Sequence, residues 1–384
     1  MIKIATLNKI SSKGLSMFTD DYKLGADSKE ANVVIVRSQD MHSCSLPKNL
    51  LTIARAGAGV NNIPVDECSK KGIVVFNTPG ANANAVKEIT LAAMLMAARN
   101  IVPATEWIKT LDKDLSKAVE KQKSKFDGEE LFGKRLAVIG LGAVGVLVAN
   151  AAEKLGMRVA GYDPFISVPH AHDLSPKVRL YDSMEALLPH CDYASIHVPM
   201  MDSTKGMIDY DILDLMNRRA VFLNFSRDSI VDNAALRRIL QEKKLRLYVT
   251  DFPTDDLVGL DNVLLIPHLG ASTKESEENC ACMAVEQVMD YIENGAITNS
   301  VNFPDCNPGP KEAPVRVCVL NENIPTMLGK LTGVFAERNI NIVKLINKSK
   351  DKNAYSIIDI ETKVNEKEIR NALDFEGIIS VRVI

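Results

Sequence analysis

Short apolar runs alternate with amphipathic stretches along most of this chain. Val33–Val36 and Leu51–Ala54 are continuous apolar or β-branched runs, and Ile73–Phe76 is a third, closed by Asn77-Thr78-Pro79-Gly80. Such runs predict strands buried on both faces. Pro64–Lys70 reads as a short helix stopped at Gly72, and Ala85–Ala98 as a buried helix without Gly or Pro. Further strands are predicted at Arg135–Ile139, Val159–Tyr162, Tyr193–His197, Val221–Asn224, Leu245–Thr250 and Val263–Ile266, each with helical pattern before it. Residues 109–130 are charged and Lys-rich, which fits a solvated helix or connection. A long helix is expected from about Lys274 to Glu293, ending at Asn294-Gly295. This alternation predicts an α/β fold with doubly wound parallel sheets.

The pattern changes after residue 302. Phe303–Pro314 holds four prolines and a glycine and reads as a linker. The remaining residues restart as strand (315–320), helix (328–338), strand (340–349), strand (354–360), helix (366–373) and strand (378–384). The order βαββαβ predicts a small ferredoxin-like domain.

Composition narrows the classes without choosing among them. The 384 residues are 46% hydrophobic, with a formal net charge of −3 and a pI near 6.1. There is no global attraction to nucleic acid or to an anionic membrane. Seven cysteines without a C-x-x-C pair read as scattered reduced thiols, Cys280 and Cys282 included. The amino-terminal MIKIATLNKI is too short and polar for a signal peptide, and no apolar run reaches the ~18 residues of a membrane span, so a cytoplasmic protein is expected. No metal-ligand spacing stands out.

The strongest local signal is Gly140-Leu141-Gly142-Ala143-Val144-Gly145, which follows one predicted strand and opens a helix. A second strand then delivers Asp163, 18 residues after Gly145. Gly140 permits the tight turn, Gly142 admits a pyrophosphate, and Gly145 lets helix and strand pack closely. The helix amino terminus offers free N–H groups to phosphates. Asp163 can accept from the ribose hydroxyls. Tyr162-Asp163-Pro164-Phe165 has no cation for a 2′-phosphate, so NAD is expected over NADP.

Downstream, chemistry-bearing residues follow successive strands. Hydride transfer to a nicotinamide needs a base for the hydroxyl proton, a cation for the carboxylate and an acid to tune the base. His268, in Pro267-His268-Leu269-Gly270-Ala271, lies where open α/β sheets bind ligands and is the candidate base. Arg227, in Asn224-Phe225-Ser226-Arg227, can grip a carboxylate with two hydrogen bonds. The acid lies in Asp251-Phe252-Pro253-Thr254-Asp255-Asp256, where Asp251 is better placed for the cofactor end. His197, before Val198-Pro199, reads as a wall of the cofactor site rather than the base.

Together with Arg37-Ser38, Arg55-Ala56-Gly57-Ala58-Gly59 and Asn77-Thr78-Pro79, these segments resemble the D-isomer-specific 2-hydroxyacid dehydrogenases from about residue 30 onward. The resemblance implies a flavodoxin-like substrate domain of residues 1–98 and 270–302, interrupted by a Rossmann-type NAD domain of residues 99–269, with the active site in the cleft. It places Ala143, Val144, Asp163, His197, Val198, Pro199, Phe225, Ser226, Arg227, Asp251 and His268 to Ala271 on cofactor positions. Arg227 would orient the substrate and His268 exchange the proton. The family's catalytic Glu is replaced. The phrase Phe-Pro-Thr-Asp points to Asp255, ungapped spacing from Arg227 to Asp256, and both stand. Asp228 occupies a position where the family usually has Gly. Arg55 would meet a substrate phosphate, with Lys123 and Lys125 as possible helpers, while Gly80 and Asn82 would meet the carboxylate end.

Residues 315–384, beyond a 303–314 linker, resemble an ACT domain, a module that binds amino acids. Asn321, Asn323 and Asn341 match its effector positions, which implies allosteric control, with L-serine as the expected effector. The implied reaction is oxidation of 3-phospho-D-glycerate with NAD by a homodimer or homotetramer, the entry to serine biosynthesis. A glyoxylate or hydroxypyruvate reductase is the near alternative, disfavoured by Arg55. A non-catalytic NAD-sensing regulator is the distant one, disfavoured by Arg227 and His268.

Overall fold

A computed structural model describes all 384 residues. The chain forms two compact units, residues 1–82 with 274–384 and residues 83–273.

The first unit holds a parallel sheet of β1 (Ile2–Leu7), β2 (Tyr22–Leu24), β3 (Val33–Val36), β4 (Thr52–Arg55) and β5 (Val74–Phe76), in the order β2-β1-β3-β4-β5. Alternate side chains serve two cores. Ile4, Val33, Ile35, Ala54 and Phe76 pack against Cys280, Ala284, Val288 and Tyr291 of the helix Lys274–Asn294. Ala5, Val34, Val36, Ile53 and Val75 face Met41, Leu50, Ile63 and Cys68 on the other side. This double burial makes Val33–Val36 apolar at every position.

The second unit holds β6 (Arg135–Ile139), β7 (Arg158–Tyr162), β8 (Arg179–Leu180), β9 (Tyr193–Ile196), β10 (Val221–Asn224), β11 (Leu247–Thr250) and β12 (Val263–Leu265). Their order, β12-β11-β10-β9-β6-β7-β8, is parallel throughout and changes direction between β6 and β9. Ligands of open α/β sheets bind beyond the carboxyl ends of the strands at such a reversal.

The boundaries fall at 82/83 and 273/274, not at 98/99 and 269/270. The helix Ala83–Arg99 joins the second unit because Ala93, Met94, Ala97 and Ala98 pack with Val146, Val148, Ala149 and Ala152. Small residues on both helices permit that approach.

The last strands, β13 (Val315–Glu322), β14 (Ile342–Lys350), β15 (Asn353–Ile360) and β16 (Ile378–Val383), form an antiparallel sheet in the order β14-β15-β13-β16. With helices Met327–Ala336 and Glu366–Ala372 this is the split βαβ arrangement. Val317, Val319, Ile358 and Ile360 face the two helices. Cys318, Leu320, Tyr355 and Ile357 face the other way and join the core around Tyr291 and Phe303.

Polar contacts complete this docking. Arg316 donates to Asp359 at 2.6 and 2.8 Å, to Asn294 O at 2.8 Å, and to Gly309 O and Pro310 O at 3.2 Å each. Arg382 lies over the Tyr291 ring and donates to Ile292 O at 2.9 Å. The Tyr355 hydroxyl donates to Gly295 O at 2.7 Å. These groups satisfy carbonyls at the carboxyl end of the helix Lys274–Asn294, which have no partner within the helix. The 303–314 segment is therefore not a free linker: Phe303 and Cys306 are buried, and Cys306 pairs with Ile297. All seven cysteines are free thiols. No helix is long and apolar enough to cross a membrane.

Candidate active site

The glycine turn joins β6 to the helix Ala143–Lys154. Gly140 has φ +89°, and a side chain there would come within 2.9 Å of the His197 carbonyl carbon. A Cβ on Gly145 would lie 1.9 Å from Gly140 O. A Cβ on Gly142 would meet nothing within 4 Å, so the backbone faces open space where the helix begins. Asp163 is held by two backbone donors, Leu141 N and Phe165 N, one on each oxygen and both at 2.8 Å. Each carboxylate oxygen keeps a lone pair for a ribose hydroxyl. These features fit a dinucleotide, with the pyrophosphate over Gly142 and the adenosine ribose at Asp163. Gly145→Ala is expected to cost about 1–3 kcal/mol of stability or more and to abolish NADH binding. Thermal melting and fluorescence titration check the two effects.

Beyond β9, the imidazole of His197 shares a 2.8 Å hydrogen bond with Ser195 Oγ, and burial pushes its pKa down to about 3. It is neutral near pH 7 and a poor proton acceptor. Ser226 Oγ donates to Val198 O, which joins the loop after β9 to the one after β10. Phe225 is buried beneath. Arg227 is exposed and donates to Ser226 O at 2.6 Å, leaving further guanidinium donors for an anion. Asp228 opens a short 3-10 turn and does not take a positive φ, so the site has no need of glycine there.

His268 is exposed and has a left-handed backbone, φ +41°. Its N–H donates to Asp251 O and Ile266 O at 3.0 Å, and its ring lies 4.9 Å from that of Phe252. Non-glycine residues rarely adopt this conformation, and such strain gathers at functional sites. Asp251 is buried. Its Oδ2 accepts from Gly270 N at 2.7 Å, while Oδ1 is buried without a hydrogen-bond partner. Burial raises its pKa, against the lowering pull of the Gly270 N–H and of the His268 and Arg227 charges. An orphaned buried acceptor calls for a donor from a ligand.

The acids expected beside the imidazole do not reach it. Asp255 and Asp256 are both exposed. Asp256 pairs with Arg237 at 3.9 Å, and neither carboxylate hydrogen-bonds His268. The reason is local: buried Leu257 anchors a turn, closed by its N–H to Thr254 O, that faces both acids to solvent. The acid that shares a field with His268 and Arg227 is Asp251.

In the first unit, Arg55 Nε donates to Arg37 O at 3.0 Å. A side chain at Gly57 would come within 2.7 Å of Arg55 Nη1, so glycine leaves the guanidinium its place. Gly80 turns the chain at φ +81°, and half-buried Asn82 precedes the helix Ala83–Arg99. Arg37, paired with Glu277 at 2.8 Å, is a further cation of this region. Lys123 and Lys125 instead engage Glu120 and Gln122 on the surface.

The tail has a cavity of ≈160 Å³ at the start of the helix Met327–Ala336, lined by Asn321, Asn323, Thr326, Gly329 and Asn347 among others. Asn321 is buried and its Oδ1 has no partner. Asn341, expected with them, does not line it. That residue sits on the exposed turn before β14, its carbonyl accepting from Glu361 N, and Asn347 takes its place.

Residues 91–270 match the family D-isomer specific 2-hydroxyacid dehydrogenase, NAD binding domain. A D-3-phosphoglycerate dehydrogenase of Methanocaldococcus jannaschii is 35% identical over 327 residues, 83% of this chain and 60% of the relative. The chain thus spans 60% of that relative's length. The Haemophilus influenzae D-3-phosphoglycerate dehydrogenase is 32% identical over 337 residues, 85% of this chain and 79% of the relative. Among solved structures, the NAD+-bound 3-phosphoglycerate dehydrogenase of Entamoeba histolytica is similar at a TM-score of 0.62 and 27% identity, covering 78% of this chain and 98% of that one.

Proposed function

The chain belongs to the D-isomer specific 2-hydroxyacid dehydrogenase family, and on that premise we propose that it oxidises 3-phospho-D-glycerate to 3-phosphooxypyruvate with NAD, the first step of L-serine biosynthesis. The observation that carries this reading is the convergence of Arg227, Asp251 and His268 at the ends of adjacent strands β10, β11 and β12, in the same sheet as the glycine turn.

Arg227 holds the substrate carboxylate and directs a donor at the C2 oxygen. The His268 imidazole takes the C2 hydroxyl proton as the carbonyl forms. Bound NAD supplies the acceptor for the C2 hydride. Asp251 Oδ1, buried without a partner, would accept a hydrogen bond from the nicotinamide end of the cofactor, and its charge favours the imidazolium that His268 becomes. Arg55 takes the phosphate, with Gly80 and Asn82 at the carboxylate end. In the reverse direction, NADH oxidation by 3-phosphooxypyruvate should exceed that by glyoxylate or hydroxypyruvate. The opposite preference would assign the chain to the reductases instead.

Residues 1–82 with 274–302 serve as the substrate domain, 83–273 as the NAD domain and 315–384 as an ACT-type regulatory module, in a homodimer or homotetramer. In the tail, the ammonium of L-serine meets Asn321 Oδ1, and its carboxylate meets Asn323 and the first N–H groups of the helix Met327–Ala336. Calorimetric titration should detect L-serine with the full chain and lose it in Asn321→Ala. No heat with either protein would remove the effector.

A further inference from the structure

The turn that presents Arg227 and the loop that carries His268 share one buried polar network. Asn224, the last residue of β10, is fully buried. Its Oδ1 accepts from Ser226 N at 3.0 Å, and its Nδ2 donates to Arg227 O at 2.8 Å and to the Tyr248 hydroxyl at 3.3 Å. The amide therefore closes the Phe225–Arg227 turn from within. Across the sheet, Thr250 is the register partner of Asn224. Its hydroxyl donates to Asn224 O at 2.8 Å and accepts from Phe252 N at 3.1 Å. Phe252 is the ring against which His268 rests.

An amide and a hydroxyl at these positions need a reason. Both are buried at the end of a sheet whose neighbouring residues Val221, Phe222, Leu223 and Val249 are apolar. Burying polar groups there is unfavourable unless each is hydrogen-bonded. Apart from the bonds to Tyr248 and between the strands, the partners are backbone atoms of the two functional loops. A network that only filled the core would have no cause to reach those loops.

We infer that Asn224 and Thr250 are positioning residues. Asn224 fixes the turn from which Arg227 reaches the substrate carboxylate. Thr250 locks that turn to Phe252, and through its ring to His268. The cation and the base then keep one spacing as a unit. The inference rests on the catalytic roles proposed for Arg227 and His268.

The test uses steady-state kinetics of the full chain with 3-phospho-D-glycerate, beside NADH affinity by fluorescence. Thr250→Val keeps the shape and deletes the hydroxyl. It should lower kcat/KM by about tenfold to a hundredfold, the scale of a displacement near 1 Å, with NADH affinity at the wild-type value. Thr250→Ser, which restores the hydroxyl, should recover the activity. Asn224→Asp keeps the acceptor for Ser226 N and loses the donor to Arg227 O. Its main effect should be a raised KM for the hydroxy acid, and it decides the matter if Thr250→Val does not fold. Wild-type kcat/KM in Thr250→Val and Asn224→Asp, with Arg227→Ala and His268→Ala both lowered by about a hundredfold or more, would overturn the network's role alone. Equal impairment of Thr250→Ser and Thr250→Val would also overturn it, because packing rather than the hydroxyl would then matter. Turnover within about tenfold of the native chain in Arg227→Ala or His268→Ala would remove the catalytic reading, and this inference with it.

Discussion

Replacing His268 by Ala should lower kcat by about 10²–10⁴ and leave NADH affinity as it is in the native chain. The groups fitted to the dinucleotide, the Gly140–Gly145 turn and Asp163, lie on the β6 and β7 side of the sheet, and none of their contacts runs through the imidazole. The His268 ring rests against Phe252 and takes no part in the buried Asp251–Gly270 hydrogen bond, so its removal leaves that bond in place. Loss of turnover with retained cofactor binding would isolate the proton-transfer step. His268→Ala turning over within tenfold of the native chain would mean that another group is the base. His197 is a poor substitute, since burial holds its pKa at about 3.

The second large effect concerns stability. Arg316→Ala should destabilise the chain by about 3–5 kcal/mol, the range for breaking a buried ion pair from one side. The Arg316 side chain is 0% exposed and that of Asp359 1%. The substitution strands the Asp359 carboxylate and frees Asn294 O, Gly309 O and Pro310 O from their donor. Pairing Arg316→Met with Asp359→Leu should recover only part of the loss, because the three carbonyls remain without that partner. The pair also sets a pH dependence. Burial pushes the Asp359 carboxyl up, but the hydrogen bond from Arg316, with that from Glu312 N, outweighs it and the net shift is downward. A lowered folded-state pKa stabilises above the unfolded value of about 3.9 and is lost as pH falls through the folded value. Melting temperatures should therefore fall in acid below that range. The acid-sensitive increment should be absent in the double variant. A tail that unfolds independently of the rest of the first unit, with no change in Arg316→Ala, would refute the docking role.

Much of the fold was legible in the sequence because both parallel sheets are covered on two faces. Continuous apolar runs such as Val33–Val36 then mark strands without ambiguity, and the glycine turn follows one of them. Less legible was which core a helix joins. Ala83–Arg99 is rich in small residues that suit either unit, and only the facing Ala149 and Ala152 decide it. The tail's elements were readable, but its docking was not. The hint lay in β13 and β15, where Cys318, Leu320, Tyr355 and Ile357 form a second apolar face that a free two-layer module would expose.

At the site, the strand ends led to Arg227, Asp251 and His268 because each follows an apolar strand. The supporting acid is less legible. Two spacing arguments, one residue apart, selected Asp255 and Asp256, but spacing cannot show that buried Leu257 turns both outward. Asn224 carries no functional signal in the sequence, where it reads only as the last residue of the strand Val221–Asn224. Its burial and its bond to Arg227 O appear only in three dimensions.

The central claim is met most directly by recording NADH formation from NAD at alkaline pH with 3-phospho-D-glycerate, beside D-lactate, D-glycerate and a blank. Absorbance should rise with the phosphorylated acid alone. A rise with the unphosphorylated acids instead, or none with any acid in either direction despite bound NADH, would contradict the account.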